Sequence, residues 1–350
     1  MRTRLRTSAL LLTLVLGTLA VRAQTLTPDE RRYRPGPPDL RVNGVETLPV
    51  RGKVHLLATG RASNVVAQVG DNGVLLVDAG SADTAADILT GIRRLSTGPV
   101  RAIVSTTTDL DHIGGNETIA KTGQPMFAGA IGASGAPQAQ IFGTEKALAQ
   151  ISAPTGAASA VPVALWPTDT FVGARKKFYF NGEPVEIQAS PGRTAGDALV
   201  WFRGSDVLAV GDMFSTITYP RVDAMRGGTV QAVIDGLNHV VDVAVAEFNQ
   251  QGGTRIVPSH GRIANQSDVV EYRDMVTIIR DRVRDAVAAG RTLDQVKAAR
   301  YTLDYDGIYS AAEYAGDQFI DALFTELKAA APAPRPAPAT RQQVRPRRGR

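Results

Sequence analysis

Four times along the chain an apolar, largely β-branched run stops at a loop that carries polar residues. RAIVS precedes Asp109, Asp111 and His112, VEIQAS precedes Arg193 and Asp197, VLAVG precedes Asp212, and RIVPS precedes His260. Runs of this length and type read as buried strands, and loops at strand ends are where a rigid scaffold presents chemical groups. Two hairpins are equally legible. SNVVAQVGDNGVLLVDAG (63–80) turns at Asp71-Asn72-Gly73, and KFYFNGEPVEIQAS turns at its Asn-Gly. Between the strands, Ile88, Leu89, Ile92 and Leu95 fall at helix spacing. Val269, Tyr272, Val276, Ile279 and Val283 mark a later amphipathic helix closed by Gly290, and Thr292 with Gln295 forms a capping-box pattern. Strands and helices alternate in two batches without a linker, so one domain is expected over 46–330. The Ala, Gly and Gln-rich stretch 121–175 is read as short helices.

The ends differ from this body. Residues 1–23 combine Arg2, Arg4 and Arg6 with an apolar run from Ala9 to Ala20 and the small-residue pattern Val21-Arg22-Ala23, which reads as a secretory signal. A membrane anchor is the alternative, but the run is shorter than the roughly 20 residues of a span. The chain is therefore expected to be secreted or periplasmic. Residues 24–45 read as a polar, proline-rich arm, and 331–350, rich in Pro, Ala and Arg, as a disordered basic tail. The formal charge of +5 is carried by the signal-like segment and the tail: without the ten arginines of 1–23 and 331–350, the rest of the chain stands at −5. No nucleic-acid footprint is left in it. With no cysteine, disulfides and thiolate ligands are excluded. At 43% hydrophobic, the 350-residue chain has ample material for a core.

Taken together and in order, Asp111-His112-Ile113-Gly114-Gly115-Asn116, Pro191-Gly192-Arg193-Thr194-Ala195-Gly196-Asp197, Val210-Gly211-Asp212 and Pro258-Ser259-His260-Gly261 resemble the metallo-β-lactamase superfamily. The hairpin ending at Asp78 resembles the family's first hairpin and its acidic position. The resemblance implies an α+β fold, the αββα four-layer sandwich, with a metal site at one edge of two sheets and a hydrolytic reaction. It also implies roles: Asp111, His112 and His260 match the second metal site and Asp212 the bridging position. The three first-site histidine positions hold Thr107, Asp109 and Arg193 instead. A guanidinium offers only donors and cannot ligate a cation, which makes a dinuclear site of the usual kind untenable. We expect Asp109 and Arg193 to pair and fill that space; independent drift of the two residues is the alternative.

Two imidazoles and two carboxylates suit one Zn ion, with Fe or Mn in an expanded sphere as alternatives. If a coordination position stays open, the site activates water against an ester, lactone, amide or phosphoester of a small-molecule substrate, with Asp111 orienting the water. If the four residues close the shell, the site is structural. The stretch after Asp212 resembles a secreted subgroup in which Tyr219, Asp223 and Gly227-Gly228 approach the cleft. Tyr219 would then donate to a substrate oxygen and Asp223 help bind it. Thr194 and Asp197 are read as loop braces, and His55 and His239 as packing or surface residues. The second functional reading is a non-catalytic relative that binds a small ligand or partner.

Overall fold

A computed structural model describes residues 41–330, apart from 43, 61, 128–134, 153–158, 250–251 and 313. The signal-like segment 1–23, most of the 24–45 arm and the 331–350 tail lie outside the described residues. No described helix is long and apolar enough to cross a membrane.

Eight strands form the first sheet in sequence order: β1 (Arg41–Val42), β2 (Val45–Arg51), β3 (Val54–Ala58), β4 (Val65–Gly70), β5 (Gly73–Val77), β6 (Val100–Val104), β7 (Gln140–Thr144) and β8 (Asp169–Phe171). The pairs from β1 to β5 are antiparallel, and those from β5 to β8 are parallel. The second sheet runs β13-β12-β11-β10-β9, from β9 (Arg175–Phe180), β10 (Glu183–Ala189), β11 (Ala198–Phe202), β12 (Val207–Ser215) and β13 (Arg255–His260). Only its β12–β13 pair is parallel.

Three apolar clusters define the layers. Leu56, Val66, Leu75, Val77, Val104 and Phe142 of the first sheet meet Val185, Ile187, Val200, Phe202 and Val257 of the second in a dry inter-sheet core. The outer face of the first sheet packs through Leu76, Ile103 and Ile141 on α1 (Ala85–Leu95) and on the helix Asn116–Lys121. The outer face of the second packs through Leu208 and Val210 on three helices, Val230–Val243, Gln266–Ala288 and Gly316–Ala330. This order, helices, sheet, sheet, helices, is the αββα sandwich. Burying an aliphatic side chain is worth about 1.5–3 kcal/mol, so the three clusters set the arrangement and leave strand ends free to carry polar groups.

Two expectations shift. Arg41 and Val42, placed in the arm, pair with Glu46 and Val45 as an edge strand. The 121–175 stretch holds the strands β7 and β8 besides the helix Glu145–Ile151. All of QIFGT in β7 is buried, so it lacks the alternation by which a half-exposed strand is recognised. The hairpin turns, the helix Gln266–Ala288 and the Thr292/Gln295 capping box form as read.

Candidate metal centre and its cavity

The centre starts at the end of β5. Asp78 is buried and has φ 62, in the left-handed region that a non-glycine residue adopts at a cost. This geometry turns its carboxylate under the loop after β6. The backbone N–H and hydroxyl of Thr106 donate to it at 2.8 and 2.7 Å, and Nδ1 of His112 lies 2.9 Å from Oδ2. A carboxylate only accepts, so the proton of His112 is fixed on Nδ1 and Nε2 points the other way.

His112 sits on α2 (Leu110–Ile113), the single turn that also carries Asp111. His260 ends β13. Asn64 grips its loop by donating to the carbonyls of Pro258 and Gly261, both at 3.0 Å, while Ser63 holds the carbonyl of Asp111 from the same segment. Beyond His260, Arg262 makes a two-pronged contact with Asp268, the capping-box residue of the helix Gln266–Ala288. Asp212 follows Gly211, where β12 slips register against β13, and the irregularity aims its carboxylate toward the two imidazoles.

The four side chains converge. Nε2 of His112 lies 3.3 Å from Asp212 Oδ1 and 3.8 Å from Asp111 Oδ2; Nε2 of His260 lies 3.4 and 3.3 Å from the same two atoms. Donor atoms of Asp111, His112 and His260 all fall within 4.8 Å of one another, as metal ligands require. Nε2 of His112 and Oδ1 of Asp212 are buried and face each other at 3.3 Å without the alignment of a hydrogen bond. Ligand atoms crowded in this way around a common point fit a cation between them. The electrostatics agree. Burial opposes charge on both groups, yet Asp212 and Asp78 raise the proton affinity of His112 well above its ordinary value. His112, His260 and Arg193 hold the Asp212 carboxyl well below the usual carboxylate range. The pocket calls for positive charge at the spot a metal would take.

On the other side of Asp212 the space is filled by guanidinium groups. Arg193 Nε lies 2.5 Å from Asp109 Oδ2 and 3.6 Å from Asp212 Oδ2. Burial works against its charge, but Asp212 and Asp109 hold its pKa above the ordinary value. A second arginine, not anticipated from the sequence, completes the arrangement. Arg226 donates to the other oxygen of Asp109 at 2.5 Å and to Thr108 at 3.0 Å, and its Nε donates to Asp223 at 2.7 Å. Asp109 therefore spans two cations, and Thr107 is buried beside this group in the same loop.

The family model of the metallo-beta-lactamase superfamily matches residues 58–300. The chain belongs to this superfamily. Among solved structures, a double mutant of the sec-alkyl sulfatase PisA1 aligns with a TM-score of 0.60 at 16% identity over 81% of this chain and 50% of that one. The stereoselective inverting sec-alkylsulfatase Pisa1 from Pseudomonas sp. gives 0.58 at 17% identity, again over 81% and 50%. A metallo-beta-lactamase from Pontibacter korlensis gives 0.49 at 17% identity over 67% and 99%. The chain thus spans about half the length of the alkylsulfatases it resembles. No curated protein sequence matches it.

Tyr219 lines the cavity beside the ligands, and both it and Asp223 are engaged within the protein. Tyr219 is 1% exposed, and its hydroxyl lies 2.9 Å from Asp306 Oδ1 and 3.1 Å from the carbonyl of Thr302. Burial and the Asp306 carboxylate raise its pKa, and its hydroxyl is hydrogen-bonded away from the ligand cluster. Its ring stacks on Phe319 instead. Tyr219→Phe is expected to lower stability by about 1 kcal/mol, the worth of one buried hydrogen bond, and to leave turnover unchanged. Thermal melting beside a rate assay checks both. Asp223 caps the short turn Ala224–Arg226 and orients Arg226, so it serves the guanidinium group rather than substrate. At the crossing of these loops a side chain on Gly228 would collide with the Arg193 carbonyl.

Thr194 and Asp197 brace the Arg193 loop as read: the Thr194 hydroxyl and backbone N–H both donate to Asp197. Burial pushes Asp197 up to about 6 against those bonds. His239 bonds to Gln188, and His55 lies on β3 away from the cluster. A cavity of about 440 Å³ opens beside the ligands, lined by Asp111, Asp212 and His260 on one part of its wall and by Thr218, Arg221 and Tyr272 on another.

Proposed function

We propose that this superfamily member is an exported metal-dependent hydrolase working with one metal ion, Zn first, held by His112, His260, Asp111 and Asp212. The observation that carries this reading is the convergence of ligand atoms, Nε2 of His112 and of His260 with the carboxylates of Asp111 and Asp212, each imidazole 3.3–3.8 Å from each carboxylate, beside a cavity of substrate size. The metal would supply Lewis acidity toward a carbonyl or phosphoryl oxygen and lower the pKa of a water near it. The rest falls to the chain. Asp78 and Thr106 hold the His112 ring and its tautomer, and His112, His260 and Arg193 together keep Asp212 ionised. Asp111, with 43% of its side chain exposed and one oxygen 3.3 Å from His260, is placed to orient a water and accept its proton. Esters, lactones, amides and phosphoesters are the candidate substrate classes.

The guanidinium pair also suits a second reading, a non-catalytic relative whose cleft holds a ligand. The retained ligand cluster favours the enzyme. Metal analysis of the purified protein decides between them. About one metal per chain is expected, with lower occupancy in Asp111→Ala, followed by turnover in an ester and phosphoester screen. A folded protein that neither holds nor takes up metal would sink the proposal.

A further inference from the structure

One tight turn sets the cavity wall next to the ligand cluster. Ser215 pairs in register with His260 at the end of β12, and its hydroxyl accepts the backbone N–H groups of Ile217 and Thr218 at 3.2 and 3.1 Å. The same hydroxyl donates to the His260 carbonyl at 3.3 Å, so the turn is tied to the strand end that carries a ligand. Ile217 lines the cavity from this turn. We infer that Ile217 is a specificity residue and that the site hydrolyses neutral carboxylic esters or lactones, with their apolar group in this cavity, in preference to phosphoesters and other anionic substrates. This rests on the hydrolase reading and narrows its substrate class.

The wall itself is the first support. Ala58, Ala62 and the Tyr272 ring line it beside Ile217. Polar side chains of the wall are bonded within the protein: the Thr218 hydroxyl donates to Ser215, the Tyr272 hydroxyl to the Thr218 carbonyl, and the Asn64 amide to the carbonyls of Pro258 and Gly261. Arg221 is engaged as well, with its guanidinium over the Tyr314 ring at 5.3 Å. What this wall offers a ligand is apolar contact, and each methylene removed from water against it is worth about fourfold in affinity.

Charge is the second support. Five carboxylates, Asp78, Asp109, Asp111, Asp212 and Asp223, face two guanidinium groups, Arg193 and Arg226, around the ligand cluster. With both imidazoles neutral as ligands, one divalent ion leaves this set negative, and counting Arg221 only brings it to balance. Asp197, behind the Arg193 loop, adds no positive charge. Nothing in the balance draws an anion in. Hydrolysis then changes the charge of the ligand. The oxygen of water joins the acyl carbon, the bond from that carbon to the alcohol oxygen breaks, and one proton of the water goes to the alcohol and the other to solvent. A neutral ester thus leaves as an alcohol and a carboxylate, and the same balance favours release of the carboxylate.

The test uses zinc-supplemented protein and p-nitrophenyl compounds. Along the acetate, butyrate and hexanoate esters kcat/KM is expected to rise by up to about fourfold per methylene. The anionic p-nitrophenyl phosphate and sulfate should fall roughly tenfold or more below the hexanoate. Ile217→Ser is expected to cut the hexanoate-to-acetate ratio by about fivefold with metal content unchanged, and Ile217→Leu to keep the ratio. Calorimetry adds a readout free of turnover: hexanamide should bind more tightly than hexyl sulfate, and should weaken in Ile217→Ser. A flat chain-length series, an unchanged ratio in Ile217→Ser, faster cleavage of the phosphate or sulfate than of the hexanoate, or tighter binding of hexyl sulfate overturns the inference and leaves the hydrolase reading standing. Cleavage of none of these compounds by metal-loaded protein overturns that reading, and this inference with it.

Discussion

Arg193→Met is expected to destabilise the protein by about 3–5 kcal/mol, the usual cost of removing one partner of a buried ion pair. For a domain of this size that corresponds to a fall in melting temperature of about 10 °C. Arg193 touches Asp109 and Asp212 at once, and Arg226 reaches only the first of these, so the variant leaves Asp212 facing Asp109 with less positive charge between them. Methionine keeps the bulk of the arginine stem, so the loss reports charge rather than a cavity. A double-mutant cycle with Asp109→Asn isolates the pair, with a coupling of at least 1 kcal/mol expected. Additive effects would show that the two residues only happen to adjoin, as independent drift predicts. Arg193→His, which restores a ligand type at that position, is not expected to raise metal content, because Thr107 and Asp109 still lack imidazoles.

The reason this pairing was legible before the fold was known is that both residues stand at motif positions whose partners are set by the family pattern. Asp111, His112, Asp212 and His260 were legible on the same ground, as each ends a strand-like run whose neighbours are fixed by the sheets. Arg226 was not. It follows Met225 in a loop with no strand before it, and its meaning comes from a contact with Asp109 that a linear pattern cannot show. Asp78 was visible as an acidic position, but its left-handed backbone and its grip on His112 belong to the three-dimensional turn. The engagement of Tyr219 was hidden for the opposite reason. A tyrosine in a polar loop near a site looks available to substrate, yet the helix Gly316–Ala330 and the turn around Asp306 close over it. Strand β7 escaped because a fully buried parallel strand carries no alternation, and its neighbours in sequence are rich in glycine and alanine.

The second large effect is expected at His112. His112→Ala should abolish metal binding, since it removes the buried ligand and one of the three hydrogen bonds to the buried Asp78 carboxylate. That result alone would not separate ligand loss from collapse of the loop, and Asp78→Asn does. An amide of nearly the same shape keeps the space filled and can still accept from Thr106, but it loses the charge that favours the Nδ1–H tautomer. Partners that orient a ligating imidazole are typically worth 10–100-fold in metal affinity, so a weakening of that order is expected in a zinc competition titration. The melting temperature of the metal-free variant should change much less than that of His112→Ala. If Asp78→Asn binds zinc as tightly as wild type, the carboxylate serves only to tie down the Thr106 loop, and the His112 ring is oriented by packing alone. If instead the affinity falls while the metal-free stability holds, the strained backbone at Asp78 is there for the metal, and the cost of its left-handed turn is offset only when the site is loaded.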